Sequence, residues 1–151
     1  MRLGVNMLGS KATRDSLSLI GARSGEAANF AVIELAERTL EKVVDSIEGG
    51  PKTGRIYQRY NPARVHQASA PGQAPADDLG ALAASYEIIL TRINQYAMRA
   101  TVGSSLAYAA AMEFGNPDTN LLPRPHLEPA ARKVEEEIGG ILIDAIRVMT
   151  R

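Results

Sequence analysis

The stretch "SGEAANFAVIELAERTLEKVVDSIE", residues Ser24–Glu48, decides the fold because it predicts a long amphipathic helix. Apolar residues recur along it at helical spacing, and acidic residues fall on the opposite side. Ser24 is a suitable N-cap, and Gly49–Gly50–Pro51 is a typical helix end. Six acidic residues against two basic ones give the helix a negative face. The acidic residues are Glu26, Glu34, Glu37, Glu41, Asp45 and Glu48.

The segment after this helix reverses the sign of the charge. Between Gly49 and Ala76 the chain has no Asp or Glu. Within it, "RIYQRY" (residues 55–60) and "RVHQA" (residues 64–68) predict two strands, and Asn61–Pro62 is a turn signal between them. We therefore expect an arm-like hairpin. The basic residues of this hairpin are Arg55, Arg59 and Arg64, and Lys52 precedes it.

The hairpin leads into "HQASAPGQAPADDLGAL", His66–Leu82, where prolines and glycines recur and large apolar residues are almost absent. These breakers predict an extended, exposed loop, which is either a slack linker or a docking surface. We expect the segment from Lys52 to Leu79 to become ordered only in an assembly. Asp77–Asp78 precede Gly80, where acids commonly cap a turn or a helix start.

The second half of the chain predicts another hairpin and two helices. Residues 82–93 have strand composition, with a helical start at residues 80–85 as the alternative, and residues 97–103 can pair back antiparallel. A short helix is expected at residues 104–115. Pro129 can open a helix that runs to the C-terminus. Its Gly139–Gly140 pair indicates either close backbone packing or a bend.

We expect the short helix and the C-terminal helix to form a shared core, because both have apolar residues at helical spacing. The expected core residues are Tyr108, Met112, Phe114, Val134, Ile138 and Leu142.

Together these elements predict an α+β fold. We expect an N-terminal extension at residues 1–21 and a single domain at residues 22–151. In that domain an antiparallel sheet of roughly four strands packs against the long N-terminal helix and the C-terminal helix, and a long extended loop or hairpin arm projects.

Composition excludes several function classes. The 151 residues have a formal net charge of +0 and no Cys, so the chain lacks disulfides, thiolate catalysis and the common structural zinc sites. His66 and His126 are far apart in the sequence and match no metal-binding spacing; we expect His126 in a half-buried surface slot. No run predicts a signal peptide or a membrane span. We expect no metal, no cofactor and no catalytic residues.

The basic segment is the strongest polar feature, since Tyr57 and Tyr60 lie among its arginines. It is suited either to a nucleic-acid backbone or to the acidic helix of a neighbouring copy, and the segregated charges favour the second. The expected interface residues are Lys52, Arg55, Arg59, Arg64, Pro71, Gly72, Glu41 and Asp45. If the segment faces DNA instead, the contacting residues are Arg55, Arg59 and Arg64.

Four stretches in fixed order resemble a known family. They are "TGRIYQR" (residues 53–59), "ASAPGQAPADDLGAL" (residues 68–82), "YAAAMEFGN" (residues 108–116) and "RPHLEPAA" (residues 124–131). In this order they resemble the small tail-completion, tail-terminator or head–tail joining (neck) proteins of long-tailed double-stranded DNA bacteriophages. With the long leading helix and the closing helix, the resemblance covers nearly all of the chain from about residue 21 onward.

The resemblance implies a structural virion protein without enzymatic activity. Such a protein forms a homo-oligomeric ring, commonly a hexamer, at the head-proximal end of the tail or in the neck. Its expected partners are its own copies, adjacent connector and tail-tube proteins, and packaged DNA through non-specific contact. It is assembled in the host bacterial cytoplasm. Two alternatives stay open: a small nucleic-acid-binding module that uses Lys52 to Arg64, and a small hydrolase that uses Asp77, Asp78 and His66.

Overall fold

A computed structural model describes residues 11–61 and 63–149 of the chain. Its dominant element is helix α1, Lys11–Gly49, which is 39 residues long. The predicted end at Gly49 is confirmed, but the predicted start at Ser24 is wrong. The Ser24 hydroxyl instead donates to the carbonyl of Ile20 at 2.8 Å, a back-bond that serines make inside helices. Residues 11–21 of the expected extension therefore continue α1, and residues 1–10 lie outside the described residues.

The basic segment forms the predicted hairpin. Strand β1, Ile56–Tyr60, pairs antiparallel with β2, Ala63–Gln67, and Arg59 lies opposite Arg64. Asn61 is in a turn, and Pro62 of the predicted turn pair lies outside the described residues.

An irregular loop follows, and then the short helix α2, Ala81–Ala84, which confirms the helical alternative for this segment. Strand β3, Tyr86–Asn94, pairs antiparallel with β4, Ala97–Ser104.

The α+β class is confirmed, but the expectation of one four-stranded sheet is wrong. The described strands form two separate two-stranded antiparallel sheets, β1–β2 and β3–β4. Every residue of β1 is exposed. Strand β1 thus buries no apolar side chain against the second hairpin, and burial of an apolar face is what joins hairpins into larger sheets.

The C-terminal part contains three further helices and a short 3-10 turn at Pro117–Thr119. They are α3, Ala107–Phe114, α4, Leu127–Glu135, and α5, Ile138–Met149. The predicted single C-terminal helix is therefore divided, with the break just before Gly139–Gly140. Close packing of another element at these glycines is not observed: apart from adjacent residues and the nearby backbone of α5, no heavy atom of the described residues lies within 4 Å of an added Cβ.

Helix α1 provides the surface on which both buried clusters form. The first lies near its C-terminal end and contains Val43, Ile47, Leu82, Ala83, Tyr86, Ala109 and Ala130. The second lies nearer its middle and contains Ala27, Ala31, Ile141 and Ala145. The small alanines on both sides of the second cluster allow α5 to approach α1 closely.

The predicted shared core of α3 and the C-terminal helix is wrong for most of its members. Tyr108 is 43% exposed and Phe114 75% exposed. The buried residues of α3 are Ala109 and Glu113. Of the six expected core residues, Val134 alone is buried. The apolar stripes exist, but α3 turns a different face inward because Glu113 has hydrogen-bond partners there.

The second hairpin and the C-terminal helices cover different parts of α1. A Cβ added at Gly25 would lie 3.1 Å from the Tyr96 ring, so the hairpin turn lies directly against this glycine. Glu137, just before α5, pairs with Arg38 and Lys42, while Ile141 and Ala145 pack with Ala27 and Ala31, so α5 runs antiparallel to α1. Among the described residues, no helix has both the length and the hydropathy that crossing a membrane requires.

Candidate assembly interface

The predicted interface cations differ in what they contact, and Lys52 contacts its own chain. Its Nζ donates to the carbonyl of Pro75 at 2.9 Å and to that of Ser46 at 3.4 Å. Partial burial lowers the pKa of Lys52. Lys52 thus ties the end of α1 to the irregular loop.

Arg59 and Arg64 have an acidic partner within the chain. An Nη2 of each lies 2.6 Å from a carboxylate oxygen of Asp78, and Nδ1 of His66 lies 3.2 Å from the same carboxylate. The Arg64 guanidinium also donates to the main-chain carbonyl of Asp78 at 2.5 Å. We name these four residues the Asp78 cluster. Asp78 comes just after the acid-free segment, so the sequence pattern alone did not show the pairing.

The remaining predicted interface residues lie on the surface. Arg55 is exposed, and its guanidinium carbon lies 5.4 Å from the centre of the Tyr57 ring, a cation–π distance. Glu41 and Asp45 are exposed on α1. The contact between these acids and the hairpin of a neighbouring copy stays a prediction.

The loop between β2 and α2 is extended but not detached, so the expectation of an exposed loop is wrong for most of it. Ser69 and Pro75 are buried, while Pro71 and Gly72 form an exposed turn. The Gly72 N–H donates to the carbonyl of Pro123 at 2.9 Å, and the Arg124 guanidinium donates to the carbonyl and hydroxyl of Ser69.

Gln73 completes the anchoring of this loop. Its side-chain oxygen accepts from the N–H of Ala70 at 2.8 Å and of Thr53 at 3.1 Å. Side chains thus satisfy backbone groups that no regular structure satisfies, which allows an irregular loop to pack.

Asp77 has the capping role that the sequence predicted. Its carboxylate accepts from the N–H of Ala83 at 2.8 Å, in the first turn of α2. Of the residues in the hydrolase alternative, the structure therefore brings His66 and Asp78 together but turns Asp77 toward a helix. Among the described residues, no group of three or more His, Cys, Asp or Glu side chains is placed to hold a metal ion.

The structure contains a buried polar network around His126 that the sequence patterns did not predict. His126 is 1% exposed, which contradicts the half-buried surface slot. Its Nε2 lies 2.6 Å from the Tyr86 hydroxyl, and its Nδ1 lies 2.9 Å from the carbonyl of Arg124. The two rings meet edge to face at 5.6 Å. Burial raises the pKa of Tyr86 to about 12, with a smaller contribution from Glu113.

Glu113 joins this network to the start of α4. Its carboxylate accepts from the backbone N–H groups of His126, Leu127 and Glu128 at 2.9–3.0 Å. Burial alone would raise the pKa of Glu113, but these three N–H groups and His126 bring it below its ordinary value. The sequence contains one indirect indication of this contact: none of the usual N-cap residues, Ser, Thr, Asp or Asn, stands at the start of α4, so its first N–H groups need another acceptor.

Helix α5 carries an exposed apolar surface that includes Leu142, one of the expected core residues. Ile141 and Ala145 are buried against α1. Leu142 and Ile143 are 40% and 52% exposed, and Ile146, four residues after Leu142, is also exposed. Residues at these spacings are neighbours on a helix, so they form one patch. We name Leu142, Ile143 and Ile146 the α5 patch.

The β3–β4 hairpin carries a second surface with exposed apolar residues. Ile89, Ile93 and Tyr96 are exposed on it. Among the described strands, β3 and β4 pair only with each other, so each has an open edge. Such edges are templates for pairing with another chain.

Comparison with protein-family models, with curated proteins and with solved structures found no match.

Proposed function

We propose that this chain is the subunit of a homo-oligomeric ring, a structural virion protein that joins the tail of a double-stranded DNA phage to its head. The observation that carries the self-assembly part is the α5 patch. The virion part rests on the motif resemblance in "TGRIYQR", "YAAAMEFGN" and "RPHLEPAA".

The patch supports assembly because three large apolar side chains lie together on an exposed side of α5. One side of α5 is buried against α1, and the adjoining side is still apolar. Apolar surface of this sort is typical of protein–protein contacts. A ring needs two unlike surfaces that meet head to tail, and the open edges of β3 and β4 provide a second surface distinct from α5.

Light scattering on the purified chain tests self-assembly. We expect an oligomer for the wild type and a monomer for Leu142→Lys with Ile143→Lys, with the circular dichroism spectrum unchanged because both side chains are exposed. Leu122→Lys is the control, since Leu122 is equally apolar and exposed but lies outside α5. A monomeric wild type, or a doubly substituted chain that assembles like the wild type, contradicts the proposal.

Electron microscopy tests the place in the virion. Host cells infected by a phage that lacks the gene should accumulate DNA-filled heads and separate tails. Normal particles without this protein would contradict the head–tail role and leave self-assembly standing.

A further inference from the structure

The β1–β2 hairpin has two chemically different faces. Side chains alternate between the faces of a strand, so Tyr57 and Arg59 share one face with their cross-strand neighbours His66 and Arg64. Arg55, which directly precedes β1, lies on the same face, because its guanidinium carbon is 5.4 Å from the centre of the Tyr57 ring. The opposite face carries Ile56, Gln58, Tyr60, Ala63, Val65 and Gln67, none of which is charged. All cationic side chains of the hairpin therefore lie on a single face, which we name the arginine face.

Asp78 covers half of the arginine face. Its carboxylate contacts Arg59, Arg64 and His66, while Arg55 lies beyond its contacts. One carboxylate opposes two guanidinium groups here, so the face keeps an excess of positive charge even with His66 neutral.

The contacts of Asp78 are of a kind that another anion could replace. Both of its carboxylate oxygens are buried, and neither makes an aligned hydrogen bond with a described residue. Each carboxylate oxygen lies 2.6 Å from a guanidinium nitrogen, so both contacts are ion pairs. Arg59 is the more accessible partner, with 49% of its side chain exposed. Guanidinium groups bind phosphate oxygens as readily as they bind carboxylates.

We propose that the arginine face is a binding site for the phosphate backbone of double-stranded DNA and that Asp78 is its built-in competitor. With Asp78 in place, Arg59 and Arg64 are engaged in ion pairs with it, and Arg55 is the arginine of this face that Asp78 does not contact. Displacement of Asp78 adds Arg59 and Arg64, and Tyr57 lies between the arginines. Binding is therefore weak until a high local concentration of DNA competes with the carboxylate. The choice of DNA rests on the proposed function, because a ring between head and tail surrounds the DNA passage.

Fluorescence anisotropy of a labelled DNA duplex tests this site. We expect Asp78→Asn to bind on the order of ten times more tightly than the wild type at low salt. Its plot of log affinity against log salt should be steeper by about two, since each neutralised phosphate contributes ~0.9 to the slope. Adding Arg59→Gln and Arg64→Gln to Asp78→Asn should return the affinity and the slope to wild-type values.

Asp118→Asn is the matched control, because it removes the same charge from an exposed residue outside the hairpin. It should leave the salt slope unchanged. Equal tightening by Asp118→Asn would mean that net charge alone acts, and no tightening by a folded Asp78→Asn would overturn the proposal.

A second measurement uses the wild-type chain and does not depend on how Asp78→Asn folds. The Nε–H nuclear magnetic resonance signals of Arg59 and Arg64 should shift when duplex DNA is added in excess. Shifts elsewhere without shifts of these two signals would overturn the proposal. Light scattering in parallel separates the outcomes, since loss of DNA binding with an intact oligomer rejects this site and leaves the ring proposal standing.

Discussion

Glu113 shows how a single side chain can replace a missing helix cap. It lies on α3, yet it accepts from three N–H groups at the start of α4. We expect Glu113→Gln to lower the free energy of unfolding by about 1–3 kcal/mol, because an amide accepts fewer of these bonds and places a donor among donors. Urea denaturation measures the change. Glu135→Gln, at an exposed position of α4, should stay within about 0.5 kcal/mol of the wild type.

The same residue predicts a dependence of stability on pH. The folded chain lowers the pKa of Glu113, so its contribution is present above the unfolded pKa of about 4.3 and is lost as pH falls through the lower folded pKa. The stability difference between wild type and Glu113→Gln should shrink as urea midpoints are measured at successively lower pH. If the stability difference stays constant down to acid unfolding, the loss in Glu113→Gln comes from changed packing and not from the loss of the carboxylate charge.

Tyr86 and His126 form the other polar pair in the core. We expect Tyr86→Phe to cost about 1–3 kcal/mol, because it leaves Nε2 of a fully buried His126 without a partner. Tyr57→Phe is the control, since Tyr57 is exposed on the hairpin. Matching unfolding midpoints for Tyr86→Phe and the wild type would contradict the role of this hydrogen bond.

At the scale of elements, one side of α5 is buried in the fold and another side is available for association. Ile141 is buried in the second cluster, so we expect Ile141→Ala to lower the free energy of unfolding by about 2–5 kcal/mol. Leu142→Ala, one residue on, should change it by less than about 1 kcal/mol, because Leu142 is partly exposed already. Denaturation of the assembly-deficient chain, with Leu142 and Ile143 both replaced by Lys, provides the monomeric background for Ile141→Ala. Equal costs at residues 141 and 142, measured on chain diluted until light scattering shows a monomer, would mean that the patch is part of the monomer core.

The elements themselves were largely predictable because local signals specify them. The end of α1 at Gly49, the hairpin that turns at Asn61 and the turn after Asn94 follow from glycine, proline and asparagine signals in the sequence. The start of α1 was missed because Ser24 is as acceptable inside a helix, bonded to Ile20, as it is at a cap.

Contacts distant in sequence were not predictable from these patterns. Whether two hairpins join into one sheet depends on the face that each buries, and β1 buries none. The buried face of α3 is fixed by Glu113 reaching α4, a partner that periodicity within α3 does not reveal. The Asp78 cluster likewise joins a strand face to a loop acid that lies 14 residues after Arg64.

At the scale of the whole molecule, the zero net charge conceals opposite charges that are partly neutralised within the subunit. Asp78 faces the arginines of the hairpin, and Glu137 bridges Lys42 and Arg38 of α1. These two cations, Lys42 first, lower the pKa of Glu137. Glu41 and Asp45 are exposed on α1, and their contact with a neighbouring copy stays a prediction.

The packing within one chain predicts which amides are protected from hydrogen exchange in the monomer. Hydrogen exchange on the Leu142→Lys, Ile143→Lys chain should show the slowest amides around Val43 and Ile47, where α1 is covered by the first buried cluster. The amides of β1 and β2 should exchange faster, because their side chains bury little surface.

The loop amides of Ala68, Gly72 and Gln73 should be measurably protected in this monomer, since each donates to a backbone carbonyl. This expectation opposes the sequence-based one, in which residues 52–79 become ordered only in the assembly. Full exchange of these three amides in the monomer, followed by strong protection in the oligomer, would favour ordering on assembly, because only a neighbouring copy could then supply the missing stabilisation.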